Sequence, residues 1–281
     1  MALGPQADST PGAASHDRPV GVFDSGVGGL SILREIRQQL PAEDLVYFAD
    51  TANCPYGSKT KPELQTLAVR IAGFLLDRGA KLIVVACNTA SVAALATLRA
   101  TFPVPFVGVV PAVKPAALAT RTRRVAVLAT PATFQGEMFD DLVRSFAADV
   151  QVIRQVCPGL VELVERGAVD GPEVRRLLER YLRPALEASV DTVVLGCTHY
   201  PFLRPVVEDI VGPGVGVLDS GEAVARQVGR VLDARGLRRR GEARGQTVFF
   251  TSSPNAERLR PIVERLSGEP EPRVCSASQM R

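Results

Sequence analysis

Short, mostly continuous runs of β-branched and other apolar residues alternate along the chain with longer Ala-, Leu- and Arg-rich segments of helical period. Apolar runs too short for a helix, set between amphipathic segments, mark strands buried on both faces, and therefore parallel sheets covered by helices. The pattern predicts strands at 20–23, 45–49, 82–86, 106–110, 125–129, 150–156, 192–195, 215–218 and 248–251. It predicts helices over 29–39, 61–78, 91–99, 133–147, 172–188, 200–211, 222–234 and 256–266, with Pro62 and Pro172 at helix starts, where a missing N–H does no harm. Nine strands exceed one modest sheet. The expected fold class is α/β, with two similar lobes of mostly parallel sheets flanked by helices and a boundary near the proline-rich stretch 103–115. Lobe 1 is expected over 18–110 with a return of about 219–267, and lobe 2 over 111–218. Segments 1–17 and 268–281, and the turn 238–245, are expected to be mobile.

No strict short-period repeat is present, but two distant echoes are. Leu82-Ile-Val-Val-Ala-Cys87-Asn88-Thr89 echoes Thr192-Val-Val-Leu-Gly-Cys197-Thr198-His199, and Val22-Phe-Asp24-Ser25-Gly26 echoes Val217-Leu-Asp219-Ser220-Gly221. Each segment ends an apolar strand in a polar turn, which is what pseudo-symmetric halves or the shared vocabulary of α/β turns would produce.

With 281 residues, 46% hydrophobic and 22% charged, disorder as the main state is excluded. No apolar run approaches the ~20 residues that span a bilayer, and 1–17 lacks the basic start and apolar stretch of a secretory signal, so a cytoplasmic location is expected. The 33 basic and 30 acidic residues are interspersed, leaving one short basic patch at Arg238, Arg239 and Arg240 and no stripe for nucleic acid. Five Cys without a C-x-x-C pair point to reduced thiols, of which any special one is a chemical candidate, and two His argue against a histidine-rich metal site.

In an open parallel sheet, ligands bind beyond the carboxyl ends of the strands. Cys87 and Cys197 both stand there, each after a small residue and before hydrogen-bonding ones, Asn88-Thr89 and Thr198-His199, so the pair is read as functional rather than as packing. Cys157 precedes Pro158-Gly159 and is read as packing; Cys54 and Cys275 are weak candidates. The turn Asp24-Ser25-Gly26-Val27-Gly28-Gly29 invites a phosphate-loop reading that its spacing refuses: Ser31 stands where a dinucleotide fingerprint needs Gly, and Val27 where a P-loop has Lys. Helix capping by Asp24 or Ser25 and backbone approach to an anion both remain open for it. Tyr56 beside Gly57 either packs its loop or reaches a ligand. His199, two residues after Cys197, is read as a proton or charge partner. Glu162 and Glu165, three apart, read as a solvated helix face.

Two similar thiols suit a reaction that inverts a carbon bearing hydrogen. One removes a proton from one face while the other delivers a proton to the opposite face, and reversal exchanges the roles. Cys, with a reference pKa of ~8.5, can serve as thiolate base or thiol acid. Phe23-Asp-Ser-Gly-Val-Gly-Gly29, Tyr47-Phe-Ala-Asp50 with Pro55-Tyr-Gly57, Ala86-Cys-Asn-Thr-Ala90 and Leu195-Gly-Cys-Thr-His-Tyr-Pro201 resemble the motif set of the cofactor-independent glutamate racemases, in the aspartate/glutamate racemase superfamily.

The resemblance implies an active site in the cleft between the lobes and interconversion of L- and D-glutamate by a two-base thiol/thiolate mechanism, feeding peptidoglycan synthesis, cell-wall biogenesis and cell shape. It implies Cys87 and Cys197 as the acid/base thiols, with Asp24 and His199 assisting. Ser25, Tyr56, Gly57, Asn88, Thr89 and Thr198, with Asp24 and His199, would bind substrate. No cofactor and no metal are expected. The expected partners are glutamate and at most a second copy of the chain in a homodimer, with neither nucleic acid nor membrane required. Glu165, Thr130 and Thr133 match family positions through looser motifs and receive no role. Asn53-Cys54 and Val110-Pro111-Ala112 depart from the family pattern. An aspartate racemase and a binding or inhibitory protein on the same fold are the alternatives.

Overall fold

The computed structural model describes residues 16–135 and 137–277. Among the described residues, ten strands form two sheets. They are β1 (Val20–Asp24), β2 (Leu45–Ala49), β3 (Leu82–Val85), β4 (Phe106–Gly108), β5 (Arg124–Ala129), β6 (Gln151–Val156), β7 (Thr192–Leu195), β8 (Gly216–Leu218), β9 (Thr247–Thr251) and β10 (Val274–Ser276). The first sheet runs β10-β9-β2-β1-β3-β4 and the second β6-β5-β7-β8, every pair being parallel. Central strands β1, β2, β3 and β7 are buried along their whole length, as continuous apolar runs require when helices cover both faces.

The order β2-β1-β3-β4 in one sheet repeats as β6-β5-β7-β8 in the other. Cys87 follows β3 and Cys197 follows β7, so the first sequence echo joins equivalent places in the two lobes. The second echo does not, since it pairs the end of β1 with the end of β8. The helix Gly221–Ala234, β9 and the helix Ala256–Ser267 return to the first sheet, and Gly221–Ala234 packs on the helix Leu30–Gln39. One apolar core runs through both lobes, from Val22 and Leu30 to Tyr200 and Leu203.

Some local expectations change. Segment 1–15 of the N-terminal stretch read as mobile lies outside the described residues, while the His16 carbonyl accepts a 2.6 Å hydrogen bond from Lys81 Nζ. Within 268–281, read as a mobile tail, β10 pairs with β9. The turn 238–245 is tied down: Arg238 binds Asp233 at 2.6 and 2.7 Å, and the Arg239 amide donates to Glu43 at 2.8 Å. With Arg239 also paired to Asp44, two of the three residues of the basic patch are already neutralised. The predicted helix 133–147 is two, Pro131–Phe134 and Glu137–Phe146, and the short helices Val113–Ala119 and Leu160–Glu165 carried too few turns to show a period. No helix among the described residues is long and apolar enough to cross a membrane.

Candidate active site

The carboxyl ends of the strands of both sheets meet over a cavity lined by Cys87, Asn88 and Thr89 from one lobe and Cys197, Thr198 and His199 from the other. Ser25, Tyr56 and Gly57 complete the first lobe's side. Of the residues expected from the sequence to act on or bind substrate, Asp24 alone is absent from the lining. It lies behind it, wholly buried, with Oδ2 accepting from the Gly29 amide at 2.7 Å and from Thr198 Oγ1 at 3.5 Å, and Oδ1 from Ser25 Oγ at 3.3 Å. Asp24 therefore fixes the glycine turn through the Gly29 amide rather than capping the helix that follows, whose N-cap position is Gly29 without a side-chain cap, and its carboxylate also faces the thiol of Cys87.

Cys87 caps the helix Asn88–Thr101, its sulfur accepting the Ala90 amide at 3.5 Å. Burial pushes this thiol well above its ordinary pKa and the Asp24 carboxylate adds to that, against the opposing Ala90 N–H. It is held protonated near neutral pH. Burial likewise raises Asp24, opposed by His199 and by the amides of Ser25 and Gly29.

On the other lobe, Cys197 Sγ lies 3.7 Å from Nδ1 of His199, whose Nε2 lies 2.6 Å from Oε1 of Glu165. The same Oε1 accepts the Val27 amide at 2.7 Å, across the cleft. Burial alone would lower His199, but contacts with Cys197, Cys54 and Glu165 outweigh it and raise the imidazole well above its ordinary range. The ring carries a proton at neutral pH.

The glycine-rich turn now has its explanation. A side-chain carbon on Gly26 would fall inside the Glu165 carboxylate, and one on Gly28 inside the His199 ring, well under the 3.0 Å that real Cβ atoms respect. The glycines are bare surface for the facing lobe rather than a phosphate cradle.

Glu165, read from sequence as a solvated face, instead lies half-buried beside the cavity, bonded to His199 and to the Val27 amide, while Glu162 of the same helix is exposed. Thr130 and Thr133 also line the cavity, and a hydroxyl chain crosses the cleft from Thr89 to Thr130 at 3.0 Å and on to Thr133 at 3.1 Å. Thr130 follows β5, the counterpart of β1 with its Asp24, so topology adds to the loose motif match that was the sequence's signal for it. The Tyr56 hydroxyl donates to Asp50 at 2.5 Å, fixing the loop that carries it, and burial followed by Asp50 raises its pKa. Cys54 reaches His199 from the same loop, its thiol pushed up by burial to about 11. Cys157 is buried packing, as read. Asn88 Oδ1 is buried without a hydrogen-bond partner, an acceptor aimed at something the protein itself does not supply.

A two-lobed α/β protein with one thiol from each lobe at a shared cavity has the architecture of an enzyme that works on two faces of a small molecule. Residues 20–228 match the Asp/Glu/Hydantoin racemase family, and the chain belongs to that family. It is similar to glutamate racemase of Pseudomonas aeruginosa, 53% identical over 259 residues, covering 92% of this chain and 97% of that one. The glutamate racemase of Thermus thermophilus in complex with β-chloro-D-alanine superposes with a TM-score of 0.78 at 42% identity, covering 94% of this chain and 98% of that one. The Escherichia coli glutamate racemase in complex with L-glutamate and the activator UDP-MurNAc-ala gives 0.81 at 36%, covering 92% and 97%.

Proposed function

We propose that the chain is a glutamate racemase that interconverts L- and D-glutamate by two-base proton transfer. The observation that carries the reading is the pair Cys87 and Cys197, which follow equivalent strands of the two sheets and line one cavity. By resemblance to the family, Cys197 takes the α-proton of L-glutamate while Cys87 delivers one to the opposite face, and D-glutamate reverses the roles. The protonated state favoured for Cys87 is the donor that the L-to-D direction requires. His199, backed by Glu165, is placed to receive and return the proton of Cys197, and Asp24 stands in the corresponding position for Cys87.

Substrate binding follows from the donor inventory. The unpartnered Asn88 Oδ1 suits the α-ammonium, and the hydroxyls of Ser25, Thr89 and Thr198 suit the carboxylates. No Lys or Arg lines the cavity among the described residues, so the carboxylates are met by hydrogen-bond donors at a helix start rather than by ion pairs. The thiols perform the proton transfers themselves, without an added cofactor. D-glutamate made in the cytoplasm would serve peptidoglycan synthesis. Circular dichroism of the purified chain with L-glutamate tests the reading: the signal should decay to zero, while L-aspartate turns over at least roughly a hundredfold more slowly, because a shorter acid leaves buried donors unpaired. Comparable turnover of both acids removes the glutamate assignment, and no turnover of either removes the racemase.

A further inference from the structure

Cys54 has no part in the racemisation scheme, yet its loop presses it against the His199–Glu165 pair from the opposite lobe. Its sulfur, an imidazole nitrogen of His199 and a carboxylate oxygen of Glu165 all lie within 4.8 Å of one another. A tetrahedral zinc ion binds such atoms at about 2.0–2.3 Å, which spaces neighbouring ligand atoms by about 3.3–3.8 Å, so shifts of roughly 1 Å close the site. Thiolate with imidazole and carboxylate suits zinc and disfavours magnesium or calcium, which take all-oxygen shells. The way in is open, since Glu165 is 17% exposed and Cys54 half-buried, whereas His199 is 2% exposed. The sequence hid this cluster: its three donors are scattered along the chain and only one is a histidine.

We propose that Cys54, Glu165 and His199 form an inhibitory site for Zn²⁺ beside the racemisation centre. The inhibitory part rests on the reading of His199 and Glu165 as proton partners of Cys197. Binding replaces the S–H bond of Cys54 by a Zn–S bond and one N–H bond of the His199 imidazolium by a Zn–N bond, and releases both protons to solvent, with no change of oxidation state. The ion occupies the very atoms that hand protons to and from Cys197, so it stops turnover without unfolding the chain.

The test uses the full-length, tag-free, chelator-treated protein with Co²⁺ as the spectroscopic probe and buffered Zn²⁺ as the inhibitor. One equivalent of Co²⁺ should give a thiolate-to-metal charge-transfer band that Zn²⁺ abolishes by displacement. Racemisation should fall with the same Zn²⁺ dependence, recover with EDTA and ignore Mg²⁺ and Ca²⁺. In Cys54→Ser the band should vanish and the Zn²⁺ needed for half-inhibition should rise by about 10–100-fold, the usual effect of impairing a metal site, each titration being read against that protein's own metal-free rate. Absence of the band in the unmodified chain overturns the proposal, whatever the variant does. So does a band without inhibition in an active chain, or equal Zn²⁺ sensitivity in Cys54→Ser. A chain that binds Co²⁺ at Cys54 but fails to racemise glutamate defeats the functional reading and leaves the metal site standing.

Discussion

His199 and Glu165 meet at 2.6 Å with the imidazole on the side of Cys197 and the carboxylate on the backbone of the facing lobe. The carboxylate orients the ring and holds its proton, and through the Val27 amide it also latches the two lobes over the cavity.

Glu165→Gln keeps the shape of that contact and removes its charge. The imidazole then loses one of the partners that raise its pKa, so the proton leaves His199 at lower pH. We expect kcat to fall by about 10²–10⁴, the typical worth of a positioned acid/base group, with KM changed far less. An effect confined to KM would instead assign Glu165 to lobe closure.

The direction of the Cys87 shift sets a pH dependence. Its pKa is raised, mainly by burial, so the thiolate needed as base for D-glutamate is scarce at neutral pH and grows as pH rises. From about pH 7 to about pH 9, where the raised thiol is still mostly protonated and its thiolate fraction grows with each pH step, kcat for D-glutamate should climb more steeply than kcat for L-glutamate. The two enantiomers have equal free energies, so kcat/KM must stay equal in the two directions at every pH, and only kcat and KM can diverge. A flat kcat profile for D-glutamate would remove the raised thiol from the scheme.

Gly28→Ala probes the fit between lobes. The added methyl falls within the His199 ring, so either the ring or the turn must move. Overpacking of this kind costs about 1–3 kcal/mol. Urea unfolding should register that loss, and kcat should drop as the imidazole leaves its place between Cys197 and Glu165. Full activity at full stability would contradict the close approach.

Far from the cavity, Lys81 Nζ and Glu43 Oε2 form a 2.6 Å ion pair with both side chains only 2% exposed. Lys81→Met strands the Glu43 charge in the interior, and breaking a buried pair from one side costs about 3–5 kcal/mol. Thermal unfolding should show the loss while kcat of the folded protein is unchanged.

Much of this was legible in the residues, and the gaps have physical causes. Nine strands were visible because most are continuous apolar runs, the alternating 150–156 excepted, and Cys87 and Cys197 stood out because each follows one of them. The strand β10 was not, since it is three residues long and follows Gly268, Pro270 and Pro272. Glu165 was missed because its helix is six residues long, with Glu162 turned to water and Glu165 turned inward, a difference that spacing alone does not encode. Cys54 and Thr130 approach the site through loops, whose course depends on both lobes being assembled. The glycines of the turn after β1 were recognised as flexible, but what they make room for lies 138 residues away in the case of Val27 and Glu165.

Both thiols must act on the same carbon from opposite sides, and isotope exchange reads this directly. With L-glutamate supplied in D₂O, each inversion should place deuterium at the α-carbon of the D-glutamate formed, because the delivering thiol has exchanged with solvent. Deuterium should reach the unreacted L-glutamate much more slowly in the initial phase. Cys87→Ser and Cys197→Ser should each suppress racemisation by orders of magnitude, since a serine hydroxyl is too weak an acid to replace a thiol. D-glutamate that keeps its original α-hydrogen, or a serine variant that racemises at near-normal rates in both directions, would contradict the two-thiol account.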